Sequence, residues 1–139
     1  MHSTRTRPRW IGIGALGCAL SLGLSATAFA GDAGKQVTTA LAHAGYSSTS
    51  KNAKTVHLHL YHVINCLEGS QGKDFNAAAG NPCKGMGNGA VNDLMDHPGV
   101  RKTLQQALGL ATIAVKVDAY QPSRNVALAV KELLQTATK

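Results

Sequence analysis

The sequence predicts an all-α protein, a small antiparallel bundle of about four helices with a glycine-rich, disulfide-closed loop. Three observations predict it. No segment alternates apolar and polar residues long enough to make a sheet, whereas apolar residues recur at three-and-four spacing. Glycines and prolines fall at the ends of the periodic stretches, where helices stop and start. One cysteine, Cys66, ends a periodic stretch, and the other, Cys83, lies across the glycine-rich segment that follows it.

The first thirty residues are read as a leader and not as fold. Arg5, Arg7 and Arg9 form a positive start, residues 10–24 are apolar, and Ala28-Phe29-Ala30 supplies small residues where signal peptidase cuts. The apolar run is shorter than the roughly 20 residues a membrane span needs. The expectation is a signal peptide over 1–30, and a single helical domain over 31–139 with no transmembrane segment. Ala15-Leu16-Gly17-Cys18 also looks like a lipobox, with alanine where leucine is usual, so lipidation at Cys18 is the alternative. The protein is then periplasmic or secreted, or else a membrane-anchored lipoprotein.

The first helix is expected over 32–44, with Gly45 as its stop. The serines and threonine of 47–50 are candidate caps for the second, over 50–68, which Gly69 ends. On it Val56, Leu60, Val63, Ile64 and Leu67 form a stripe for the core. Residues 69–89 read as loop, with one turn around 75–79 and a turn at Asn81-Pro82. A short helix over 88–95 follows. Asp96 or His97 caps a long helix reaching about 119, because Pro98 suits a first turn. Its apolar residues are Val100, Leu104, Leu108, Ile113, Val115 and Val117. Pro122 opens the last helix, with Val126, Leu128, Val130, Leu133 and Leu134 for the core.

Cleavage after Ala30 leaves two cysteines in an oxidising compartment, and they can pair in only one way. The loop that Cys66–Cys83 closes is worth about 3 kcal/mol in the chain-entropy model. A single domain of this size has a modest core, for which that staple is substantial. The whole chain carries +7, and the leader holds three arginines and no acid, which leaves +4. Lysines and arginines are scattered with no aromatic interleaving, so nothing suggests nucleic-acid binding.

The chemistry concentrates in "HLHLYHVINC", residues 57–66. On a helical wheel His59, His62 and Cys66 share a face beside the apolar stripe, and His57 lies on the opposite flank. Two imidazoles on adjacent turns can chelate an ion such as copper, nickel or zinc. One helix supplies only two ligands, and a closed zinc site needs four. The other available donors are Met86, His97, His43, Asp93 and Met95. The expected set is His59, His62, Met86 and His97, because the disulfide would draw Met86 toward His62 and thioether suits copper. The same spacing also suits histidines that cap or bridge to the loop. Asn65 reads as a residue that hydrogen-bonds loop backbone.

Other chemistries lack their residues. There is no C-x-x-C-H for haem c, and "GMGNG" follows no strand and lacks the P-loop lysine, so no nucleotide is expected. There is no G-x-S-x-G or H-E-x-x-H, no C-x-x-C redox pair and no carboxylate dyad, so no catalytic residue and no enzymatic activity are expected.

"HLHLYHVINCLEG" and "NPCKGMGNG" resemble a group of small exported bacterial proteins with a histidine-bearing helix, N-C-L-x-G and a downstream N-P-C. The likeness covers about 55–97. It implies export, an all-α fold and the disulfide, and it carries no activity with it. The chain also loosely resembles small periplasmic metal-binding bundle proteins, without their repeated histidine pattern. The expected function is transition-metal binding in the periplasm. The alternative is a structural or interaction module whose partner is an envelope protein.

Overall fold

The computed structural model describes residues 32–139. The proposed signal peptide, its cleavage site and Cys18 lie outside the described residues. Five α-helices and a short 3-10 turn follow in order: α1 Asp32–Thr49, α2 Ala53–Glu68, the turn Ala77–Ala79, α3 Ala90–Asp93, α4 Pro98–Ala114 and α5 Tyr120–Ala137. The described residues contain no strand. Packing of α1 on α2, α2 on α4, α4 on α5 and α5 on α1 closes a ring of four long helices. The predicted helical bundle is the fold.

Helix α2 runs through the middle of it. Val56, Leu60, Val63, Ile64 and Leu67 are all fully buried, as their spacing requires. On α4 and α5 the buried stripes are built mainly from alanine: Leu104, Ala107, Ala111 and Ala114 face Ala127, Val130, Leu134 and Ala137. Those alanines decide which way the two helices turn. Ile113 and Leu128, expected in the core, are 59% and 47% exposed. Among the described residues only Lys35–Asp32 and Lys73–Asp74 form ion pairs, each with an exposed lysine. Burial therefore holds the bundle, and surface charge adds little.

Several helix boundaries differ from the sequence reading, for local reasons. Helix α1 passes through Gly45 and ends at Thr49. The hydroxyls of Ser48 and Thr49 donate to Gly45 O, and that of Ser50 to Tyr46 O, satisfying the carbonyls of the last turn. These residues close α1 and do not cap α2. Asn52 does that, its Oδ1 accepting from Thr55 N at 2.9 Å. Helix α4 stops at Ala114, where tighter bonds from Lys116 N to Ile113 O and Val117 N to Ala114 O end the α pattern. Helix α5 starts at Tyr120, so Pro122 sits inside its first turn, where its missing N–H costs nothing.

The segment between α2 and α3 leaves the bundle and comes back to where it left. Gly69 and Gly89, both at positive φ, lie back to back, and a Cβ on either would strike the other's neighbouring backbone. Cys66 and Cys83 are joined, with Cα atoms 5.2 Å apart. Asn65 is fully buried. It donates to Asn76 O and Gly80 O and accepts from Asn76 N, at 2.6–2.8 Å. Glu68 accepts from Asp74 N. The loop is thus fixed by side chains of α2 as much as by the disulfide.

Candidate metal centre

His43 stands on α1, with His59 and His62 on α2, in the seam between the two helices. The hairpin geometry explains the meeting. His43 lies six residues before the end of α1, and His59 six residues after the start of α2. Antiparallel helices bring residues equally far from the turn to the same level. His62 is one turn further along the same face as His59.

The Nδ1 atom of His43 lies 3.2 Å from Nδ1 of His59 and 3.2 Å from Nδ1 of His62. Ligand atoms of all three histidines lie within 4.8 Å of one another, and the group could hold a metal ion. An ion with tetrahedral bonds of about 2.0–2.1 Å holds its nitrogens about 3.3 Å apart. The two short contacts match that spacing.

Proton placement makes the same point. His62 Nε2 is 2.7 Å from Ala79 O, and a carbonyl only accepts, so that nitrogen carries hydrogen. Nδ1 of His62 therefore offers a lone pair to the centre. A proton on His43 Nδ1 serves one of its two contacts fully and leaves the other without a matched donor and acceptor. A cation would satisfy all three lone pairs together.

The charges are set accordingly. Burial, followed by the neighbouring His62 and His59, pushes the His43 pKa down to about 4. Burial and then His62 lower that of His59 as well. Both rings are consequently neutral near pH 7, the form in which imidazole ligates. Tyr46, one turn beyond His43, sets its ring against both His43 and His59, with centroids 5.6 and 5.4 Å away, and is 56% exposed. The three histidines are half-buried, at the border of the protein.

The other expected donors stand elsewhere. Met86 packs partly buried on the core, and its carbonyl accepts from Gln36 Nε2 at 2.9 Å. Gln36 is seven residues, about 10 Å, along α1 from His43. His97 occupies the N-cap of α4 and is not one of the three convergent histidines. The Asp93 carboxylate accepts from Gln36 Nε2 and Asn88 N. Met95 is 64% exposed. His57 faces the other flank, where its Nε2 contacts Val117 O at 3.0 Å and Ser123 Oγ at 3.2 Å. Cys66 is held in the disulfide.

No family model, curated protein or solved structure matches this chain. Fold and site together define a small helical bundle with a three-histidine group able to hold a metal ion. Among the described residues no helix is long and apolar enough to cross a membrane.

Proposed function

We propose that the protein is an exported bundle that binds a transition-metal ion, copper, nickel or zinc, through His43, His59 and His62. One observation carries the reading: three imidazoles from two helices turn nitrogens toward one point, with spacings of 3.2 Å that suit a metal better than a hydrogen-bond network. The contact from His62 to Ala79 O supports it, since ligating histidines commonly donate their other ring N–H to a carbonyl. Neutral nitrogens of this kind suit all three ions. Export is supported by the leader over 1–30 and by a disulfide, which belongs to an oxidising compartment. In a bacterium with two membranes that compartment is the periplasm. Enzymatic activity forms no part of the proposal.

A second reading has one observation in its favour. His62 holds a loop carbonyl much as His57 holds that of Val117. In that reading the histidines only fasten segments together, and the bundle is an interaction module of the envelope, soluble or anchored through a lipidated Cys18.

Melting curves of tag-free mature protein with Cu(II), Ni(II) and Zn(II) separate the two. A ligand at a hundredfold excess over its Kd stabilises the native state by about 2.7 kcal/mol. At least one ion is expected to give that gain in the native protein and none in His43→Ala/His59→Ala. No gain with any ion, or a gain that survives in the double variant, leaves the second reading. Mass spectrometry of the mature N-terminus decides location: Gly31 indicates a soluble protein, an acylated Cys18 the lipoprotein.

A further inference from the structure

A metal held by three histidines at the rim of a protein has a coordination sphere to complete. Among the described residues, no fourth histidine, cysteine or carboxylate belongs to the convergent group. The nearest carbonyl placed on these rings, Ala79 O, is already taken by His62 Nε2–H. Borderline divalent ions prefer four or more ligands, so at least one position is filled from outside.

Charge selects what fills it. The three ligands are imidazoles, which ligate as neutral groups and bring no negative charge to the ion. No carboxylate in the group offsets a divalent ion, which would keep its full charge on a surface already net basic. An anion in the remaining position neutralises part of that charge; a further neutral donor does not.

Access is open. All three histidines are only partly buried, and the neighbouring ring, Tyr46, is itself mostly exposed. The three rings meet in the α1–α2 seam at the border of the protein.

Resting on the metal-binding reading above, we propose that the His43–His59–His62 centre keeps a coordination position open to a small exogenous anion, so that the loaded protein is an anion-accepting metal centre and not a sealed one. The anion would come from solution, or as a carboxylate on a partner, with the same single-atom ligation in both cases.

Co(II) reports coordination directly through its visible bands, and sodium azide is the probe. The mature protein is first titrated with Co(II). Absence of a saturable visible spectrum would overturn the metal reading, and this inference with it. With cobalt bound, azide is expected to shift the d–d bands saturably and to add a charge-transfer band, while cobalt stays with the protein through dialysis. A cobalt spectrum that ignores azide would overturn the open position and leave metal binding intact. Loss of cobalt to azide would overturn it too. The variant Tyr46→Phe covers the one neighbouring ring hydroxyl. It is expected to respond to azide as the native protein does. A response found only in this variant would make the Tyr46 oxygen the closing ligand and would overturn the proposal. A carboxylate source is then distinguished from free anion by competition: acetate should displace azide, and an acidic peptide should do so at lower concentration if a partner supplies the donor.

Discussion

Helix α2 carries histidines on two flanks, and the flanks treat the same side chain in opposite ways. On one, His57 has a carbonyl and a hydroxyl before it, Val117 O in the connection between α4 and α5 and Ser123 Oγ in the first turn of α5. Both atoms can accept the hydrogen of its Nε2. On the other, His59 and His62 meet the imidazole of His43, a group with the same donor and acceptor limits as themselves. The first arrangement is complete as it stands. The second has more lone pairs than protons it can hold without repulsion. The number of histidines on a helix says little, and what each one faces decides whether it fastens or binds.

The comparison breaks most sharply at His43. Removing one of three ligands should cost metal affinity about a thousandfold, near 4 kcal/mol. His43→Ala is therefore expected to abolish measurable Co(II) or Zn(II) binding by calorimetry, with the fold retained by circular dichroism. An affinity left unchanged would show that the seam is no more a metal centre than the His57 flank.

The loop is the next largest effect. Reduction of Cys66–Cys83, or the pair Cys66→Ser/Cys83→Ser, should lower stability by about 3 kcal/mol in urea melts. Asn65→Ala should follow with about 2 kcal/mol, because it strips partners from the backbone of Asn76 and Gly80. Gly80 adjoins Ala79, whose carbonyl orients His62. Asn65→Ala should therefore also weaken metal binding by about tenfold, the lower end for groups that position a ligand. His57→Ala should cost about 1 kcal/mol and leave metal affinity unchanged. If both variants moved affinity alike, the two flanks would not be independent.

How much of this was legible follows from particular residues. The α2 stripe and the loop-binding role of Asn65 could be read from spacing, since both depend on one helix and its immediate sequel. The pairing of Cys66 with Cys83 followed from counting. His59 and His62 could be placed on one face, but His43 was only one of several available donors. The obstacle was the end of α1. With a stop at Gly45, His43 sits at a helix terminus. With the true end at Thr49 it stands level with His59 across the hairpin. The signal that would have found it is the run of hydroxyls at 47–50, read as closing one helix and not as opening the next. The phase of α4 and α5 was hidden for a related reason. Alanine weighs little in a search for large apolar residues, yet Ala107, Ala111, Ala114 and Ala127 are fully buried where Ile113 is exposed.

The smallest effect tests the charge state of the seam without any metal. In the unfolded chain the His43 ring takes up a proton near the ordinary value of about 6.5. In the folded protein it does so only near 4, because burial and then the adjacent His62 and His59 oppose the charge. Above pH 6.5 the ring is neutral in both states and contributes no pH dependence. Between 6.5 and 4 the unfolded state binds more protons, so stability falls as pH falls. Below 4 both states are protonated and the slope from this group ends. His59, lowered in the same direction, adds to the loss. The rings are only partly buried and screened by solvent, so the combined effect should be of order 1 kcal/mol and not the full value of the shift. Carboxylates titrate in the same range, and the comparison must be a difference between proteins. Urea melts of the metal-free native chain and of His43→Ala/His59→Ala, at pH 7 and pH 5, should show the native chain losing more stability between the two. Equal losses in the native chain and the double variant would mean that His43 and His59 accept protons as freely folded as unfolded, and the seam would then not be electrostatically crowded.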